Sequence, residues 1–104
     1  MKKRLVMVMA AWCAAMMLPA AGLAADGAAL FLQKCGGCHR KGGQAVPVNP
    51  ADKASVVWDK YFARGRHPVD LAQTLNDQEL QSVIQYLKEH AADSDQPAAA
   101  VIPN

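Results

Sequence analysis

Between positions 35 and 39 the chain reads Cys-Gly-Gly-Cys-His, and few folds of this size accommodate that run for any purpose but one. A disulfide between two cysteines three positions apart closes a loop too small to restrain more than its own turn. The same two thiols can each add to one vinyl group of a porphyrin, after which the next residue lies against the iron; this is the C-x-x-C-H pattern of c-type haem attachment. Cys35 and Cys38 are therefore read as thioether positions and His39 as the proximal iron ligand. The two intervening glycines suit a tight backbone and leave the haem edge uncrowded.

The start of the chain agrees with that chemistry, because thioether attachment takes place outside the cytoplasm. Met1-Lys2-Lys3-Arg4 and an apolar run from Leu5 to Leu18 give the charged start and short core of a secretory signal peptide. The run is short of the roughly 20 apolar residues that a spanning helix needs, and it breaks at Pro19. Small residues place cleavage after Ala24 or Ala25, so residues 1–24 are expected to be removed and the product to be periplasmic, with no stable membrane insertion.

Loss of the leader changes the charge. Three of the eleven basic residues (Lys2, Lys3, Arg4) lie in it, leaving eight against nine acids. No excess of positive charge then argues for nucleic acid or an anionic membrane. Starting at Asp26, 79 of the 104 residues remain, a size at which an apolar core alone is marginal and a bound group is the usual reinforcement.

Two other uses of the cysteines compete with haem. A thiol–disulfide redox pair normally opens a helix in a βαβ unit, and no strand pattern is present. A zinc site would need two more ligands, and His67 and His90 lack the close spacing of a zinc-binding pair.

Along the mature chain, a short helix is expected from about Gly27 to Lys34, held by tertiary contact rather than propensity. Asn49-Pro50-Ala51-Asp52 offers an N-cap, a proline at the first helical position and an acid in the first turn; the helix is expected to run to Arg64 and stop at Gly65. Ala54, Val57, Trp58, Tyr61 and Phe62 share one apolar face of it, and Trp58 and Tyr61 are candidates to hydrogen-bond a haem propionate. Asn76 and Glu79 form a capping-box pair ahead of Leu80, Val83, Ile84 and Leu87, whose spacing predicts a last helix ending near His90 to Ala92. Residues 93–104 read as an irregular tail outside a domain spanning 25–92.

The motif, Phe31 four residues before Cys35, and the run Leu80, Val83, Ile84, Tyr86 and Leu87 together resemble the class I cytochrome c family over nearly all of the mature sequence. The resemblance implies an all-α fold of three to four helices wrapped around one covalently bound haem c, with the first and last helices crossing. It also implies electron transfer rather than enzymatic turnover, monomeric behaviour, and redox partner proteins docking near the thioether edge, where Lys34, Arg40 and Lys41 lie. A proline after the motif would supply the carbonyl that accepts the proximal imidazole's proton, and Pro47 is the candidate.

One departure from the family is sharp: all five methionines lie in the leader, so its usual distal methionine is missing. His67, His90, a lysine or an open position could replace it. His67, in Arg64-Gly65-Arg66-His67-Pro68 before the last helix, stands where the family's methionine normally stands, and it is the expected second iron ligand. Arg64 and Arg66 beside it could offset propionate charge or meet an acidic partner. Imidazole in place of a thioether implies a low-potential carrier with closed iron. An open distal position would instead make a gas-binding or weakly peroxidatic haem protein, and an uncleaved leader would tether the domain to a membrane.

Overall fold

The computed structural model describes residues 26–104. The expected leader and its cleavage point lie outside the described residues. Within them three α-helices are joined by 3-10 turns and irregular chain, with no strand, so the all-α class holds. No helix among the described residues is long and apolar enough to cross a membrane.

Helix α1, Gly27–Leu30, starts where the Asp26 carboxylate accepts from the Ala28 N–H at 3.0 Å and more loosely from that of Ala29. It passes directly into a π-helical turn, Phe31–Cys35, closed by the Gly36 N–H on the Phe31 carbonyl at 3.0 Å. The expected helix is thus present, one residue longer and wider in its second half. Four residues cannot hold a helix by themselves. Packing does it: Phe31 is fully buried, its ring 5.7 Å from that of Tyr86 on the last helix. Gly27 makes the approach possible, since a Cβ there would run into the Ser82 carbonyl and lie 2.9 Å from the Tyr86 Cβ.

The second helix starts later than its capping signals imply. Asn49 and Pro50 open only a 3-10 turn, Pro50–Asp52, after which Lys53 and Ala54 are extended and α2 runs Ser55–Arg64. The cause is the chain beyond residue 90. The Ala92 N–H donates to the Lys53 carbonyl at 3.0 Å, and the Asp93 carboxylate accepts from the Ser55 N–H at 2.9 Å, so the tail supplies the cap that Asn49 was expected to give. Gly65 ends α2 as expected, in the left-handed region at φ 62°.

Helix α3, Asp77–Glu89, follows its sequence signals closely. The Glu79 N–H donates to the Asn76 side chain at 2.8 Å and the Asn76 N–H to the Glu79 carboxylate at 3.0 Å. Val83, Ile84 and Leu87 are buried at the i, i+1 and i+4 positions, with Leu80 packed beside them. A half-exposed ion pair, Lys88 to Asp59 at 2.9 Å, joins α3 to α2 and contributes less than about 1 kcal/mol.

Residues 93–104 are irregular as expected, but the boundary drawn at residue 92 does not divide the structure. Ile102 is 3% exposed and belongs to one core with Phe31, Trp58, Leu75, Val83, Leu87 and Ala91. Asn49, 1% exposed, uses its amide for the tail: its nitrogen donates to the Ile102 carbonyl at 2.9 Å and its oxygen accepts from the Ile102 N–H at 2.8 Å. The Ala51 N–H adds a bond to the Ala98 carbonyl.

Candidate haem site

Cys35 closes the π-helical turn and the chain then tightens. The N–H groups of Cys38 and His39 both donate to the Cys35 carbonyl, at 3.2 and 2.8 Å. Gly36 has no room for a side chain, because a Cβ there would strike the Leu32 carbonyl. The loop Arg40–Ala45 returns the chain at once: the Gly43 N–H bonds the Arg40 carbonyl, Gly42 takes φ 79°, and the Ala45 N–H reaches the Cys38 carbonyl at 3.0 Å. That return sets Val46 beside His39.

His39 Nδ1 lies 2.8 Å from the Val46 carbonyl oxygen. A carbonyl only accepts, so Nδ1 carries the proton and Nε2 presents a lone pair, the state an iron ligand needs. The acceptor is Val46 rather than Pro47. Proline's ring sits on the nitrogen side of the same peptide bond, and the tight return of the loop brings that bond to the imidazole one residue earlier than expected.

His67 is also held by the backbone. Past Gly65 the chain turns back, and His67 Nδ1 lies 2.9 Å from the Val69 carbonyl oxygen and 3.2 Å from the Val69 nitrogen. One nitrogen cannot both donate and accept, so these are alternatives: a proton on Nδ1 pairs it with the Val69 carbonyl and leaves Nε2 free for a metal, whereas a bare Nδ1 accepts the Val69 N–H.

The two imidazoles meet. Their ring centres are 6.1 Å apart, with planes inclined at 58°. With metal–nitrogen bonds of about 2 Å and about 1.1 Å from nitrogen to ring centre, two imidazoles on opposite sides of one metal have centres about 6 Å apart. Among the described residues no three His, Cys, Asp or Glu side chains converge as a metal site. Two nitrogens alone are a poor shell for a bare ion but suit a metal that arrives with its own equatorial donors. They disfavour the zinc reading on the same ground.

Apolar surface adjoins the pair. Val46 and Val69, whose carbonyls hold the rings, are 78% and 53% exposed, and Val57, one turn before Tyr61 on α2, is 43% exposed. A planar apolar group carried between the imidazoles fits such surroundings better than water does.

Cys35 and Cys38 are both partly buried free thiols, and the Cys38 thiol points at the Gln44 side-chain oxygen at 3.6 Å. Burial, and secondarily the neighbouring Cys38, push the Cys35 thiol up to about 11. An exchange-active dithiol needs the opposite shift, toward thiolate at neutral pH, so the environment opposes the thiol–disulfide reading.

Of the two propionate candidates, Trp58 has its N–H engaged elsewhere. It is 3% exposed and its indole N–H donates to the Pro50 carbonyl at 2.9 Å, which uses its only donor inside the core. Tyr61 stays at the site, its ring set edge-on to that of His67 with centres 6.5 Å apart. His90 lies elsewhere in use: its Nδ1 donates to the Gln96 carbonyl at 2.8 Å and its ring packs 4.9 Å from Tyr86, tying the tail to α3. A groove of about 590 Å³ between the start of α1 and α3 is lined by such polar residues as Gln78, Gln81 and Gln85 and by none of the site residues.

No protein-family model, curated protein or solved structure matches the chain.

Proposed function

We propose that the protein is a low-potential electron carrier of the cytochrome c type, with one haem c joined through Cys35 and Cys38 and ligated by His39 and His67. The observation that carries this reading is the 6.1 Å between two imidazole centres, with His39 Nδ1 on the Val46 carbonyl and its Nε2 available, and His67 Nδ1 turned to the Val69 backbone.

A haem held there supplies a one-electron iron couple. The chain's own residues do the rest. The Val46 and Val69 backbone fixes the imidazoles, and a carbonyl accepting from Nδ1 would raise their basicity and so favour a low potential in a haem held by both rings. Held by both His39 and His67, such an iron would leave no place for substrate or dioxygen. Lys34, Arg40, Lys41, Arg64 and Arg66 are all exposed, and they lie within three residues of a thioether cysteine or an axial histidine. They give this end of the molecule a positive field suited to steering an acidic redox partner, an effect that weakens as salt rises. Carriage through a periplasm, as a monomer freed of its leader, completes the proposal.

The test is carbon monoxide binding to the ferrous protein, with wild type beside His67→Ala. Little or slow binding in wild type, made rapid by the substitution, supports a closed iron. Rapid binding in both removes His67 from the metal and turns the reading to an open haem that binds gases.

A further inference from the structure

A line of aromatic contacts runs from the buried core to His67. Trp58 is locked in the core by its bond to Pro50, and its ring is stacked on Phe62 at 6.2 Å with planes 24° apart. Phe62 meets Tyr61 edge to face, 5.2 Å between centres and 86° between planes. Tyr61 meets His67 the same way, at 6.5 Å and 85°. Edge-to-face contacts of this kind fix ring orientation as well as bury area.

His67 itself sits in the irregular chain after Gly65, and its backbone belongs to no helix. Both backbone contacts of His67 fall on one atom, Nδ1, which leaves the ring plane free to turn about that atom. The Tyr61 ring closes that freedom, because two rings packed at right angles resist rotation of either plane.

Resting on the axial role read above for His67, we propose that Tyr61 is its positioning residue: the aromatic ring, not the hydroxyl, holds the distal imidazole at the metal and sets its plane. The line through Phe62 and Trp58 makes the rigidity of α2 available to a ligand carried on a loop.

The experiment uses the haem-loaded protein and compares wild type with Tyr61→Leu, Tyr61→Phe, His67→Ala and Val83→Ala. Two readouts are taken: the rate of carbon monoxide binding to the ferrous form, and the electron paramagnetic resonance signal of the ferric form, whose anisotropy follows the angle between the two imidazole planes. Tyr61→Leu keeps bulk and helix propensity but removes the ring. It is expected to bind carbon monoxide about three- to tenfold faster, as follows from one lost aromatic pair, and to shift or broaden the resonance. Tyr61→Phe is expected to restore both readouts. Val83→Ala, between α1 and α3, is expected to lower the unfolding temperature and move neither.

A wild-type rate and signal in Tyr61→Leu, with His67→Ala fast, overturns the positioning role and leaves the axial reading standing. Tyr61→Phe behaving like Tyr61→Leu assigns the effect to the hydroxyl and overturns the proposal as stated. Val83→Ala matching Tyr61→Leu reduces the effect to lost stability and overturns it as well. An unchanged rate in His67→Ala overturns the axial reading and the inference with it.

Discussion

Asn49→Ala removes one small side chain and strands two backbone groups. The amide is 1% exposed and satisfies both the carbonyl and the N–H of Ile102, at 2.9 and 2.8 Å, inside the core. Each buried backbone group left without a partner costs about 1 to 3 kcal/mol, so the substitution should cost about 2 to 5 kcal/mol in all. Whole-domain stability for 79 residues is on the order of 4 to 12 kcal/mol. The loss is therefore a large share of the total and should lower Tm by more than about 10 °C. Urea unfolding followed by helical circular dichroism measures it. The decisive comparison is a chain ending at Ala100, which lacks Ile102 and lets water reach Asn49. There the same substitution should cost less than about 1 kcal/mol, because the groups it strands are gone. Equal costs in the two backgrounds, or a cost under about 1 kcal/mol in the full chain, would refute the reasoning.

Gly27→Ala tests the α1–α3 contact. A helix glycine exchanged for alanine ordinarily gains about 1 kcal/mol, but here the methyl meets the Ser82 carbonyl, which is backbone and cannot swing away, so a net loss of about 1 to 2 kcal/mol in urea unfolding is expected; a gain would sink the packing argument. Alkaline pH tests the Cys35 site in the haem-free chain. The folded thiol keeps its proton up to about 11 while the unfolded chain loses it near the ordinary 9.0, so the folded state holds more protons in that window. Stability should then fall by about 2 to 3 kcal/mol from pH 9 to 11. The same chain carrying both thioethers should show a smaller fall, the part left to Tyr86, whose hydroxyl is also pushed up by burial, and identical alkaline profiles for the two forms would count against the buried-thiol description.

What could be read from the sequence was what short-range chemistry decides. The Asn76–Glu79 cap, the apolar spacing of α3 and the left-handed stop at Gly65 each involve residues within a few positions of one another, and each appears where expected. His67 is singled out by its place before the last helix, and the structure sets its ring centre 6.1 Å from that of His39. What escaped the sequence depended on partners far along the chain. The late start of α2 is decided by Ala92 and Asp93, 38 or more positions beyond Lys53 and Ser55. Asn49 looked like a helix cap and is instead a clamp on Ile102, 53 positions away. Nothing local to Trp58 shows that the Pro50 carbonyl accepts its N–H. Such pairings are set when the tail docks, and an irregular tail of alanines and prolines carries little periodic signal to announce it. The Val46 carbonyl was missed by one residue for a related reason: a loop's closure, not its composition, chooses which peptide bond faces the ring.

Both imidazoles are held by main-chain groups, those of Val46 and Val69, and a main-chain group is present whatever the side chain. The grip on each ring is therefore written in the lengths of two short loops rather than in residue identities. Substituting either valine should leave the grip in place, whereas adding or deleting a single residue between 39 and 46, or between 61 and 69, would carry a ring away from its partner. For this architecture, loop length is the quantity on which the meeting of the two rings depends.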